Sequence, residues 1–217
     1  MSTVFYDIET IPLALEKREH LRPSAESVKL GNLKDPVKVA AKQNEALAAW
    51  DAGEGAALDP MQCEIALLGF CIDDGGYNHL TNGGDDEDLL LHEFWDMVAK
   101  PSNVLFVAHN FRFDLGMIVR RSWLNEITVP PKVLNDINSF SPNQWADTMQ
   151  VWGAGDRQTT YMSLDKLAKA FGVIVKDSEV TGKEFYKWWE KDRDACIEYN
   201  RQDVEATRDV WYAMGGI

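Results

Sequence analysis

Thr3-Val4-Phe5-Tyr6-Asp7-Ile8-Glu9-Thr10 is the stretch that decides the fold. Val4, Phe5, Tyr6 and Ile8 give it the β-branched and aromatic character of a buried strand. Asp7 and Glu9 interrupt that character, and because side chains alternate along a strand, both acids leave one face together. Like charges held that close raise each other's pKa and resist burial unless a cation lies between them. A divalent metal ion is the simplest relief. The Asp-x-Glu spacing says little by itself in so acidic a chain, since it recurs as Asp85/Glu87, Asp177/Glu179 and Asp203/Glu205. The first copy differs in lying inside an apolar strand.

Around this strand, 217 residues are enough for a single α/β domain with a sizeable core, spanning 1–217. An apolar share of 45% and eight tryptophans mark a globular chain rather than a disordered one. No apolar run reaches membrane-spanning length and no basic-then-apolar leader opens the chain, so a cytoplasmic protein without a membrane partner is expected. Cys63, Cys71 and Cys196 are odd in number and lack CxxC spacing, which argues against a disulfide framework or a zinc site. A net charge of −13 argues against grip along a long duplex. It leaves room for an enzyme that holds a short stretch of nucleic acid at a metal centre, where cations offset the acids.

Moving outward, residues 13–34 carry no clear period and read as loop with one short helix, and Val37–Ala49 reads as a helix closed by Gly53 and Gly55. Together these form a partly helical insertion at about 13–60. Glu64–Ile72 is a core strand, and Tyr77–Leu80 is its hairpin partner across an Asp-Asp-Gly-Gly turn. Asp85–Lys100 predicts a helix with Leu91, Phe94 and Val98 inward. Val104–Ala108 is an uninterrupted apolar run, the mark of a central strand covered on both faces. It leads into His109-Asn110-Phe111-Arg112-Phe113-Asp114 and a helix to about Trp123. The prolines of 124–143 predict a loop, Trp145–Trp152 a further strand, and Ser163 a cap for a short helix stopped by Gly172. The last helix covers roughly Lys191–Met214. This order predicts an α/β fold, a mixed central sheet flanked by helices.

On the last helix, Cys196, Tyr199, Asp203, Ala206, Val210 and Met214 share a face, which puts an Asp in an apolar stripe. Asp114 lies in the first helical turn after the central strand, where ligands meet such sheets. Asp7, Glu9, Asp114 and Asp203, with Tyr199 four residues before the last acid, therefore stand on three elements in this order. The constellation resembles the DEDD superfamily of 3′–5′ exonucleases, whose domain is ribonuclease H-like. Its first motif looks like Phe5–Thr10, its second like His109–Asp114 and its third like Tyr199-Asn200-Arg201-Gln202-Asp203. The tyrosine marks the Tyr subclass; the His subclass has a histidine five residues before the last Asp, where this chain has Glu198. Within the subclass the chain is most similar to exonucleases related to the proofreading domain of family B DNA polymerases, with residues 13–55 the least alignable.

The resemblance implies hydrolysis of a 3′-terminal phosphodiester with two ions, Mg²⁺ or Mn²⁺, which oxygen-only ligands favour over zinc. It implies that Asp7, Glu9 and Asp203 hold one ion. Asp7 then bridges to a second, which Asp114 reaches directly or through water. Tyr199 orients the attacking water or helps deprotonate it. Thr10 and Asn110 are candidates for gripping the terminal nucleotide, and Phe113 for stacking on its base, against a plain core role. Arg112, Arg120 and Arg121 could reach phosphates or form a solvated helix face. The implied partners are single-stranded DNA or DNA 3′ ends, with RNA possible, and a polymerase or replication partner in trans. Two rival readings are a 3′–5′ exoribonuclease of the ribonuclease D type, using the same acids, and a non-catalytic nucleic-acid-binding module on the same fold.

Overall fold

The computed structural model of the chain describes residues 2–83, 86–99, 104–137, 144–155, 161–173 and 178–216. Asp85, Asp177, Pro142 and both predicted ends of the third helix lie outside the described residues. In chain order the elements are β1 (Ser2–Pro12), α1 (Leu15–Arg18), α2 (Pro36–Asp51), β2 (Cys63–Ile72), β3 (Asn78–Thr81), α3 (Glu87–Ala99), β4 (Val104–Ala108), α4 (Phe111–Leu124), α5 (Pro131–Ile137), β5 (Trp145–Asp147), α6 (Thr148–Trp152), α7 (Leu164–Ala170), α8 (Phe185–Lys191) and α9 (Arg193–Ala213). Short 3₁₀ turns occupy Glu19–Leu21, Ala25–Ser27 and Ala56–Leu58. Chain contacts group these into two compact units, residues 1–9 with 65–217, and residues 10–64. The insertion expected at about 13–60 falls within the second.

The first unit is built on a mixed five-stranded sheet in the order β3-β2-β1-β4-β5. β1 runs parallel to β4, with Phe5 opposite Val107, and β4 runs parallel to β5, with Phe106 opposite Trp145. β2 and β3 form the antiparallel hairpin, Leu68 facing Leu80. Side-chain alternation then sorts the core into two layers. Phe5, Cys71 and Val107 pack with Val204 of α9, and Phe5 meets the Tyr212 ring edge-on at 5.5 Å. Tyr6 and Phe106 point the other way, into an aromatic cluster with Phe94 of α3 and Trp145. Each fully buried large apolar side chain contributes about 1.5–3 kcal/mol. Asp7 and Glu9 share the parity of Phe5, so the alternation that buries Phe5 under α9 also sends both acids toward that helix.

A buried ion pair ties the hairpin to the helical layer. Glu87, at the start of α3, accepts from the Ile65 backbone N–H at 2.7 Å and pairs with Arg121 of α4 at 2.6 Å. Asn125 donates to the same carboxylate at 2.8 Å. Arg121 is thus buried and committed, which removes it as a phosphate contact.

Two elements differ from the sequence expectation. The strand predicted over Trp145–Trp152 ends at Asp147, and α6 begins at once. Asp147 causes the switch: its carboxylate accepts from the Met149 N–H at 2.9 Å and caps the new helix. The predicted loop at 124–143 contains α5, which starts on Pro131. Proline suits a first helical position, where its missing N–H has no intrahelical partner anyway, so the prolines read as loop markers were in part a helix start.

In the second unit, α2 is longer than predicted by a residue or two at each end. Asp35 accepts from the N–H groups of Val37 and Lys38, with Pro36 at the first position. No residue of α2 is buried. Cohesion comes instead from Arg18, 3% exposed, which donates to the carbonyls of Leu13, Trp50 and Asp51 at 3.1, 2.6 and 2.9 Å. Its guanidinium also lies 4.5 Å from the Trp50 ring centroid. Gly53 closes the turn after α2 at φ 79°, with Pro12 so near that a β-carbon would touch it at 2.9 Å. Among the described residues no helix is long and apolar enough to cross a membrane. Cys63, Cys71 and Cys196 are buried.

Candidate metal centre and active site

Asp7 and Glu9 leave β1 toward α9, and Asp203 meets them from the middle of that helix. Each offers a carboxylate oxygen, and the three oxygens lie within 4.8 Å of one another. Tyr199 lies one turn before Asp203 on α9. Its ring leans on Phe185 of α8 at a centroid distance of 6.3 Å. Asn200, wholly buried, donates from Nδ2 to Asp7 Oδ2 at 2.8 Å.

The junction of β4 and α4 supplies the fourth acid. Asp114 is 3% exposed, and its Oδ1 accepts from the Ile8 N–H at 3.3 Å, between the two acids of β1. It stands outside the three-oxygen cluster, but its charge reaches both Asp7 and Glu9. Asn110 occupies the N-cap position of α4 in a left-handed conformation, φ 61° and ψ 47°, and its side chain makes no cap bond. Its backbone N–H instead donates to Asp147 Oδ1 at 2.9 Å. Asparagine tolerates that conformation better than most residues, and the turn leaves its amide uncommitted to the helix. Phe113 is 36% exposed while Phe111, two residues before it, is wholly buried, so Phe111 takes the core role and Phe113 faces outward. Thr10 lies in the 10–64 unit and donates its hydroxyl to the Ala57 carbonyl at 2.6 Å.

Sequence reasoning missed three contributors here. His109 bridges Thr148 Oγ at 2.8 Å through Nδ1 and the Met162 carbonyl at 2.7 Å through Nε2. A carbonyl only accepts, so Nε2 carries the proton and Nδ1 accepts from the threonine; burial lowers the ring's pKa and keeps it neutral. Asp147, placed by the sequence inside a strand, caps α6 and also fixes the Asn110 backbone. Asn200 sits in the third motif itself. Its signal was the buried series on α9, which includes Asn200, Val204 and Thr207 beside the predicted stripe, and an Asn in such a series needs a partner.

The electrostatics set this site apart. Burial raises the pKa of Asp7 well above the usual range, and Asp114, Glu9 and Asp203 raise it further, while the Asn200 amide works against them. Burial, then Asp203 and Asp114, do the same to Glu9. Asp114 is pushed up to about 8 by burial despite its bond from Ile8, and Asp203 to about 7 by burial despite Tyr199. The Tyr199 phenol is raised by burial and by Asp203, Glu9 and Asp7. Among the described residues none of the four acids has a cationic side chain beside it; their ordering groups are amides, a phenol and backbone N–H. An all-oxygen set of clustered, repelling carboxylates fits a hard divalent cation such as Mg²⁺ or Mn²⁺.

Comparison with known proteins gives three findings. The model of the RNase H superfamily matches residues 53–214, which takes in Asp114, Tyr199 and Asp203 but begins after Asp7 and Glu9. A protein of Methanocaldococcus jannaschii, itself uncharacterised, is 24% identical over 168 residues, 73% of this chain and 89% of that protein. The structure of the family B DNA polymerase from the hyperthermophilic archaeon Pyrobaculum calidifontis is similar with a TM-score of 0.62 and 17% identity. That similarity covers 98% of this chain and 24% of the polymerase, so the chain spans about a quarter of its length, and the likeness is one of fold.

Proposed function

We propose that this chain, which belongs to the RNase H superfamily, is a metal-dependent 3′–5′ exonuclease that hydrolyses terminal phosphodiesters of single-stranded DNA and releases nucleoside 5′-monophosphates. The observation that carries this reading is the meeting of Asp7, Glu9 and Asp203, one carboxylate oxygen of each within 4.8 Å of the others, with no cationic side chain beside them among the described residues. The acids alone are costly together; two divalent ions make the arrangement favourable. When bound, two such ions supply Lewis-acid stabilisation to the entering and leaving oxygens of an in-line displacement. Asp7, Glu9 and Asp203 would hold one, and Asp7 with Asp114 the other.

The remaining work falls to the chain's own groups. Tyr199 keeps its proton at neutral pH, because its pKa is raised rather than lowered. It therefore orients the attacking water by donating or accepting a hydrogen bond and does not serve as the base. Asn110 offers a side chain free of cap duty to the terminal nucleotide. The outward ring of Phe113 offers a stacking surface for its base, a contact worth about 1–3 kcal/mol. A 3′ terminus must reach the acids as a free end, which supports the single-strand preference, and DNA is preferred to RNA here on the motif resemblance.

The test is release of mononucleotides from a 3′-labelled DNA strand and its RNA counterpart in Mg²⁺, with Asp7→Ala as control. Mononucleotide release from DNA that is lost in Asp7→Ala supports the proposal. Release from RNA alone would replace it with an exoribonuclease, and cleavage of neither strand would remove the enzyme reading.

A further inference from the structure

Asn200 does more than fill space in the third motif. Its Nδ2 donates to Asp7 Oδ2 at 2.8 Å and lies 3.4 Å from the Asp7 carbonyl, so both of its contacts on this side go to Asp7. On the far side, its Oδ1 accepts from the Tyr77 hydroxyl at 2.8 Å. An ionised carboxylate only accepts, so the amide must turn its N–H side to Asp7 and its oxygen to the phenol. Tyr77 thus fixes the direction of the amide. Tyr77 itself is held just before β3, packed on the cluster of Phe5, Cys71, Val107 and Val204.

The backbone of β2 is shaped for this arrangement. A β-carbon on Gly69 would fall 1.8 Å from Asn200 Oδ1 and 2.6 Å from the Tyr77 ring. Gly69 lies in a strand, where glycine lacks a packing advantage and often marks close approach of another group. The approaching groups here are the amide and the phenol. Strand, hairpin and helix therefore each contribute one part: Gly69 the space, Tyr77 the orientation and Asn200 the bond.

We infer that Asn200, oriented by Tyr77 in the space left by Gly69, is a positioning residue, a clip that holds the Asp7 carboxylate and presents its remaining lone pairs to incoming divalent cations. The inference rests on the nuclease reading of the same site. A neutral amide suits the task because it fixes the carboxylate without occupying the cation's place. An Arg or Lys there would compete with the metal ion. Groups that orient metal ligands typically change metal affinity by about 10–100-fold when removed.

Mn²⁺ binding to the whole chain, read by electron paramagnetic resonance or calorimetry alongside the melting temperature, tests this directly. Asn200→Ala is expected to weaken Mn²⁺ binding about tenfold or more, and Tyr77→Phe by a smaller factor in the same direction, each relative to a wild type of similar melting temperature. Exonuclease assays at rising Mg²⁺ should show the same variants recovering at high metal concentration, which a purely structural loss would not do. If Asn200→Ala does not fold, Tyr77→Phe alone decides, since it removes one hydroxyl and keeps the ring. Wild-type Mn²⁺ affinity in Tyr77→Phe and in a folded Asn200→Ala would overturn the clip and leave the nuclease reading standing. Absence of Mn²⁺ binding in the wild type would instead overturn both.

Discussion

The two compact units hold themselves together by opposite means. Residues 1–9 with 65–217 have a sheet covered on both faces, and Asp7, Glu9, Asp114 and Asp203 crowd together there with no cationic side chain beside them among the described residues. Residues 10–64 have a sixteen-residue helix with no buried side chain, and one buried arginine satisfying three carbonyls. One region stores unfavourable electrostatics at a point and offsets it with apolar burial. The other spreads a thin apolar surface and depends on a cation placed where backbone acceptors converge. Electrostatic strain concentrated in a well-packed body is the signature of a site, whereas a cation fully spent on carbonyls is the signature of a scaffold.

The largest effect should follow from breaking the concentrated strain. Asp7→Asn is expected to lower 3′-end hydrolysis at least about a thousandfold, the equivalent of about 4 kcal/mol of barrier, with the melting temperature of the ion-free protein held or raised. Steady-state assays with thermal denaturation read both at once. A drop in activity that merely followed a drop in stability would erase the distinction between the regions. Next in size is the ion pair that the body does satisfy. Arg121→Met leaves Glu87 buried without its cation and should cost about 3–5 kcal/mol of global stability, measured by denaturant unfolding.

The same contrast explains what the sequence made legible. Strands β1, β2 and β4 could be read because buried strands have a composition of their own; Asp7, Glu9 and Asp203 stood out as acids in an apolar pattern, and Asp114 by its place in the first helical turn after the central strand. The 10–64 unit had no such pattern: Arg18 looks like any surface cation until Trp50 and Asp51 bring their carbonyls to it from 32 and 33 residues away. Asn200 and Tyr77 stayed hidden for a related reason. They are 123 residues apart, and neither is unusual until the fold joins them. Asp147 misled because a residue that ends a strand and caps a helix carries the signal of both. The RNase H superfamily match, beginning at residue 53, covers the helical partner of the site and not its first strand.

Arg18→Met tests the scaffold. Three carbonyls lose a charged donor, and about 2 kcal/mol or more of local stability should go with them. Hydrogen exchange and limited proteolysis within 13–55 would register it, with Mn²⁺ binding unchanged because Asp7, Glu9 and Asp203 all belong to the body.

The units should also answer pH with opposite signs. Asp203 and Asp114 are held up to about 7 and about 8, above the ~3.9 of an unfolded Asp, so the folded body keeps protons that the unfolded chain has released. Their contribution is present in full below about pH 4 and is lost as pH rises through both values. The melting temperature of chelator-treated protein should fall between pH 5 and pH 8.5 and recover with Mn²⁺ at the upper end. Asp51, by contrast, is lowered by its bond to Arg22, so that exposed pair adds stability above the ordinary Asp range and loses it as pH falls. A body whose ion-free stability rose with pH would mean that its acids are not strained.

The smallest expected change in stability falls at Asn110. The left-handed turn costs an asparagine little and a glycine less, while glycine loses more chain entropy on folding, so Asn110→Gly should shift stability by no more than about 0.5 kcal/mol. The side chain makes no cap bond, so nothing in the fold registers its loss. Its removal should instead appear as a raised KM for a short single-stranded DNA with a near-normal melting curve. If stability fell by more than about 1 kcal/mol with KM unchanged, Asn110 would be a cap after all, and the β4–α4 junction would count as scaffold rather than site.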